Sequence, residues 1–194
     1  MTTFGEKTAL IIVDMQNDFA DPAGSLSVAG GEALVGTING EIIRAAAVGA
    51  LVVYTQDWHP KATPHFAKDG GIWPVHCVAD TWGAEFHPRL IVAGSTVRKG
   101  TNGEDGYSGF TMRDPITGDV TQTGLAKLLH QREIQRVVVV GLALDYCVRA
   151  TALDSRAEGW HTSVPLHLTA AVNLEPGDGS AAAEALRQAD ITVV

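Results

Sequence analysis

The sequence predicts a doubly wound α/β domain in which helices cover both faces of a parallel sheet. Two observations predict it. Short runs rich in β-branched residues alternate along the chain with segments of helical periodicity, and the runs are almost continuously apolar. A strand buried on both faces has that composition, whereas a strand with one face in water alternates apolar and polar residues.

Six runs read as strands: TALIIVD (8–14), ALVVYTQD (50–57), STVRKG (95–100), RVVVVG (136–141), HTSVPLHL (161–168) and ITVV (191–194). Between them, Leu34, Ile38 and Ile42 recur at four-residue steps and mark one helical face. Leu125, Leu128 and Leu129 mark a second, CVRATALDSRAEG (147–159) reads as a third helix, and SAAAEALRQAD (180–190) is rich in strong helix formers. The stretch from about Trp58 to Leu90 has neither period and is rich in Pro, Gly, His and Trp. An excursion that long inside a compact domain is usually functional, so it is expected to build a pocket wall.

A chain of 194 residues fits one domain, here expected to span residues 1–194, with about 70% of its unfolded surface buried. The net charge of −8 and pI near 5.2 argue against nucleic acid, because tracking phosphates requires clustered Lys and Arg. Two cysteines, Cys77 and Cys147, are too few for a disulfide framework, and MTTFGEKTALIIVDMQ lacks the basic, apolar and cleavage regions of a secretion signal. A reduced, cytoplasmic protein is expected. No apolar run approaches the roughly 20 residues that cross a bilayer, so no membrane partner is expected either. The glycines of KGTNGEDGYSGF match neither G-x-G-x-x-G nor the P-loop pattern, which leaves a nucleotide cofactor unsupported.

Open α/β sheets bind ligands beyond the carboxyl ends of their strands, so polar residues closing apolar strands carry the most information. Asp14 ends the first run, Asp57 the second and Lys99 the third, while Cys147 follows the fourth across a six-residue turn. Each alone has a plainer reading: a turn aspartate, a solvated lysine, a buried cysteine. Sharing one edge, they make chemical sense together. A thiolate is the nucleophilic form of cysteine, and both a neighbouring lysine and a helix N-terminus, with Asp145 as its N-cap, favour it over the thiol. Asp14 could then carry protons.

The excursion holds a second constellation: Asp57-Trp58-His59, His65, and His76 within WPVHC. Residues two apart in an extended segment point to one side, so Asp57 and His59 can present a carboxylate and an imidazole together. With His76, and with or without His65, they form a mixed nitrogen and oxygen set suited to Zn, Fe or Mn. Spacing alone favours the plainer reading, histidines that cap loops or hydrogen-bond inside the excursion, because Asp-x-His is far less specific than a paired Cys-x-x-Cys. Phe19, Trp73 and Tyr107 could line a flat apolar slot beside these groups, as in small-molecule pockets, or could simply be core.

Taken together, the segments LIIVDMQNDF, VRKG and VVVVGLALDYCV resemble the three signature segments of the isochorismatase-like cysteine hydrolases. The turn PAGSLSV with DWH, WPVHC and GYSGF resembles the nicotinamidases, also called pyrazinamidases, within that superfamily, and the similarity runs from about residue 8 to the C-terminus. The resemblance implies a three-layer α/β/α fold with a six-stranded parallel sheet in the order 3-2-1-4-5-6. It implies a catalytic triad of Asp14, Lys99 and Cys147, and an oxyanion hole of the Ala143 and Cys147 backbone beside a cis peptide between Leu142 and Ala143. It further implies a pocket of Phe19, Leu26, Trp73, Tyr107 and Leu142, and one divalent transition metal on Asp57, His59 and His76. His65 stands where mycobacterial members have an additional histidine ligand, although the PKATP spacer before it is this chain's own, and Tyr146 replaces a histidine of those members. The implied activity is hydrolysis of nicotinamide to nicotinate and ammonia, and of pyrazinamide to pyrazinoate, through a cysteine thioester in a cytoplasmic monomer or homo-oligomer serving NAD salvage.

Overall fold

A computed structural model describes residues 3–194. In chain order the strands are β1 (Thr8–Val13), β2 (Leu51–Asp57), β3 (Ser95–Lys99), β4 (Thr111–Arg113), β5 (Val120–Gln122), β6 (Arg136–Leu142), β7 (His161–Val164), β8 (Thr169–Ala170) and β9 (Thr192–Val193). The α-helices are α1 (Asn17–Ala20), α2 (Gly31–Ala47), α3 (Leu125–Gln131), α4 (Arg149–Ala157) and α5 (Asp178–Gln188). The main sheet runs β3-β2-β1-β6-β7-β9 with every pair parallel, which is the expected order of the six runs.

Three details differ from the sequence reading. The run predicted over 161–168 stops as a strand at Val164, because Pro165 has no N–H to continue the ladder; a single 3-10 turn (Leu166–Leu168) follows. The chain then rejoins the sheet as β8, a seventh strand beside β6. The short α1 and the antiparallel hairpin of β4 and β5 were not anticipated, being too short to show a period.

The layering follows from two periodicities. Along β1, Leu10 and Ile12 face a core shared with Val35, Ile38, Ile42 and Ala45 of α2, while Ala9, Ile11 and Val13 face the opposite one. That second core takes Leu125 and Leu129 of α3, Ala152 of α4, and Ala182 and Leu186 of α5. Alternation by two along the strand meets helical stripes on both sides, and each large aliphatic side chain so buried contributes roughly 1.5–3 kcal/mol. Among the described residues no helix is long and apolar enough to cross a membrane.

The order of the sheet reverses between β1 and β6, which are paired in register through Val13 and Gly141. Gly141 has φ 107°, and a Cβ there would lie 2.2 Å from the Val13 carbonyl oxygen, so only glycine lets the strands approach. The excursion from Trp58 to Leu90 lies over the carboxyl ends of the strands. Single 3-10 turns (Ala67–Asp69 and Trp82–Ala84) and backbone bridges His59 to Val78, Phe66 to Trp73 and Gln16 to Phe86 hold it there.

Candidate active site

Four consecutive strands of the sheet deliver the four strand-end residues to one place. Asp14 follows β1 in a left-handed conformation (φ 47°), Asp57 closes β2, Lys99 closes β3 as the register partner of Asp57, and Cys147 lies beyond β6. The Lys99 ammonium is 2.7 Å from Asp14 Oδ2 and 3.7 Å from Cys147 Sγ. It also donates to Asp57 Oδ1 and to the Gly106 carbonyl. All four side chains are buried, Lys99 completely.

The environment of Cys147 departs from expectation. The chain leaves β6 through a cis peptide between Leu142 and Ala143 and makes a π-helical turn, Leu144–Val148, before α4 begins at Arg149. Asp145 caps no helix; its buried carboxylate instead accepts hydrogen bonds from the backbone N–H groups of Val172 (3.0 Å) and Asn173 (2.8 Å). Nor does the site hold a ready thiolate. Burial pushes the Cys147 thiol well up, and the attraction of Lys99 only partly offsets it, because Asp14 and Asp57 lie close as well.

The same balance sets the carboxyls apart. Burial, opposed by Lys99 and helped by Asp57, raises Asp14 to about 6. Asp57 suffers burial too, but Lys99 and the histidines beside it hold it well below the usual carboxylate range. For Lys99 burial favours the neutral amine, yet the two carboxylates outweigh it and keep the ammonium charged. A proton acceptor of raised pKa beside a buried thiol is a nucleophile with its base.

Asp57 is the hinge to the second cluster. Its Oδ2 is 3.7 Å from His59 Nε2 and 3.9 Å from His76 Nε2. One ring nitrogen from each of His59, His65 and His76 lies within 4.8 Å of the others, and all three rings are buried. Both nitrogens of His59 lack a hydrogen-bond partner, a costly state for a buried imidazole unless something else occupies its lone pair. His76 donates from Nδ1 to the Pro74 carbonyl (2.7 Å), and burial lowers its pKa to about 4, so it presents a neutral imidazole, the form that binds metals. Donor types, burial and the orphaned nitrogens all fit a divalent transition metal.

Between the two clusters lies a small cavity, partly open to solvent. Its walls include the anticipated Phe19, Leu26, Trp73, Tyr107 and Leu142, together with Val28, Tyr146 and Val172. Cys147 and Ala143 line one side, Asp57, His65 and His76 another. The Trp73 indole donates to the Tyr107 hydroxyl (2.8 Å) and meets Tyr146 edge-on, with ring centroids 4.8 Å apart.

Against this geometry the comparisons with known proteins are unambiguous. The family model for the Isochorismatase domain matches residues 8–194. The chain belongs to the isochorismatase family. A nicotinamidase/pyrazinamidase of Mycobacterium tuberculosis is 40% identical over 191 residues, covering 96% of this chain and 97% of that protein. Among solved structures, the pyrazinamidase of Pyrococcus horikoshii in complex with zinc superposes with a TM-score of 0.86 at 38% identity, covering 97% of this chain and 98% of that one. PnC1 from L. infantum in complex with nicotinate gives 0.88 at 39% identity, covering 100% and 95%.

Several residues of this isochorismatase-family site escaped the sequence reading. The Thr55 hydroxyl donates to Asp14 Oδ1 (2.6 Å), fixing the carboxylate that faces Lys99 with its other oxygen. The Gln16 amide donates to the Asp57 carbonyl (2.7 Å) and accepts from the Asp57 N–H (2.8 Å), tying β2 to the chain after β1. Asp105 accepts from or pairs with His65 Nδ1 at 2.6 Å. A threonine inside an apolar strand was the only visible hint of the first, and the others had none. Tyr146 was visible beside Cys147 but carried no sign that it faced the cavity.

Proposed function

We propose that this chain is a nicotinamidase: a cysteine amidohydrolase that converts nicotinamide to nicotinate and ammonia, and pyrazinamide to pyrazinoate. One observation carries the reading. A buried thiol with its own base and ammonium shares a small aromatic cavity with a histidine cluster, and Asp57 belongs to both. The relatives named nicotinamidase or pyrazinamidase, and the neighbour that holds nicotinate, support the same substrate class.

In this mechanism Asp14 takes the proton of Cys147 as Sγ attacks the carboxamide carbon, and Lys99 stabilises the charge that develops on sulfur. The backbone N–H groups of Ala143 and Cys147 receive the oxyanion; one such donor is typically worth about 3–4 kcal/mol. Collapse of the tetrahedral intermediate breaks the C–N bond, Asp14 returns its proton to the leaving ammonia, and a thioester remains. Asp14 then accepts a proton from water as it attacks the thioester, and nicotinate departs as the thiol is restored. Phe19, Trp73 and Tyr107 enclose the ring, with Leu26 and Leu142 closing the apolar wall.

Asp57, His59 and His76, with His65, are the residues that would hold a metal, for which Zn, Fe and Mn all suit the donor set and zinc is the ion seen in the archaeal pyrazinamidase. When bound, that metal supplies a Lewis-acid anchor that fixes the orientation of the pyridine ring. A cytoplasmic role in pyridine nucleotide salvage, without a nucleotide cofactor, nucleic acid or membrane partner, completes the reading for a monomer or homo-oligomer.

The test is ammonia release from nicotinamide by the parent and by Cys147→Ala, each supplied with zinc. The parent should turn over and the variant should lose at least about a thousandfold in kcat while its zinc content and circular dichroism stay unchanged. An inactive parent would point to another small amide. An active variant would move the nucleophile away from sulfur.

A further inference from the structure

The three histidines of the cluster are supported differently, and the difference singles out His65. His59 has no partner on either nitrogen, and His76 has a carbonyl, whereas His65 faces a carboxylate: Nδ1 lies 2.6 Å from Asp105 Oδ1. The side chain of His65 is 5% exposed and that of Asp105 21%, so the pair is largely shielded from water. We propose that Asp105 is a positioning residue for the metal site, holding His65 with Nδ1 protonated and its Nε2 lone pair free, and thereby making His65 a working ligand.

Both ends of this pair are anchored independently of it. The Thr63 hydroxyl accepts from the His65 N–H (3.1 Å) and donates to the Gly103 carbonyl (2.7 Å), which ties the PKATP segment to the loop carrying Asp105. Asp105 exchanges both backbone hydrogen bonds with Arg113, the last residue of β4, which fixes its backbone beside the turn end of the hairpin. The hairpin thus holds in place a carboxylate that faces a histidine 40 residues away in sequence. Outer carboxylates of this kind set the tautomer of a ligating imidazole and raise its basicity, and losing one commonly costs about 10–100-fold in metal affinity. A purely structural ion pair between a protonated His65 and Asp105 would have no such effect, because a protonated imidazole has no lone pair to give.

This inference rests on the metal-site reading above, and the experiment separates the two. Zinc dissociation constants are measured on metal-stripped full-length protein by competition with a chromogenic chelator, for the parent, Asp105→Ala, Asp105→Asn, His65→Ala and the double variant, with the thermal midpoint of each stripped protein recorded. Asp105→Ala should weaken zinc binding by about 10–100-fold, and Asp105→Asn, which keeps an acceptor without the charge, by less. In the His65→Ala background, Asp105→Ala should change zinc affinity no further. Unchanged zinc affinity in Asp105→Ala, with or without a lower midpoint, overturns the proposal in favour of a structural pair, as does an equal loss in the absence of His65. A parent that takes up no zinc overturns the metal reading itself and this inference with it.

Discussion

Lys99 is the residue on which the site's electrostatics turn. Two carboxylates that burial would drive towards the neutral form are held beside a thiol by one fully buried ammonium. Removing that ammonium leaves uncompensated buried charge, so Lys99→Met should destabilise the fold by about 3–5 kcal/mol in urea denaturation as well as abolishing turnover. The partition between the carboxyls sets the pH dependence. Asp14 must be ionised to accept the thiol proton, and its pKa is raised to about 6, so kcat/KM should rise with pH through that value. Below it, activity should fall about tenfold per pH unit as the base is titrated, with no acid limb from Asp57, which stays ionised. A profile flat down to pH 4.5 would exclude Asp14 as the base.

At the level of elements, the decisive piece is the turn between β6 and α4. A π-helical turn places both Cys147 and Asp145 in the interior, and Asp145 reaches across to the chain after β8. Its two hydrogen bonds set Val172, a wall of the cavity, against the turn that carries the nucleophile. Asp145→Ala should therefore loosen one wall without touching the reacting atoms: KM for nicotinamide should rise several-fold while kcat stays within about twofold. A kcat loss with unchanged KM would show instead that Asp145 orients Cys147. The expected helix cap was wrong for an intelligible reason. An aspartate just ahead of a helical pattern has the same local sequence whether it bonds the helix N–H groups or a distant strand end, and only the return of the chain after β8 decides between them.

For the whole molecule, the sheet and the excursion divide the work. The sheet supplies Asp14, Asp57 and Lys99 from its strand ends and Cys147 from the turn after β6, and the excursion lays the histidines and Trp73 over them. Metal bound where these parts meet must stabilise the assembly, because the unfolded chain has no such site. Zinc at a hundred times its dissociation constant should add about 2.7 kcal/mol, which raises the midpoint of thermal unfolding by roughly 5–10 °C for a domain of this size. A midpoint indifferent to zinc would show that the histidines serve only to pack the excursion.

By itself the sequence determined the class of fold, the order of its elements and the residues that end its strands, because these follow from local periodicity. It also placed Asp14, Asp57, Lys99 and Cys147 at one edge, since strand ends in a parallel sheet share a side. What those residues do to one another depends on the packing of segments far apart in the chain. That Lys99 pairs with two carboxylates, that Asp57 joins both clusters, and that Thr55, Gln16 and Asp105 brace their partners depend on which side chains meet across 40 or more residues of chain. The protonation states followed the same rule: a lysine near a cysteine suggests a thiolate, but burial, which no local pattern reports, left the proton on sulfur and raised the pKa of its acceptor.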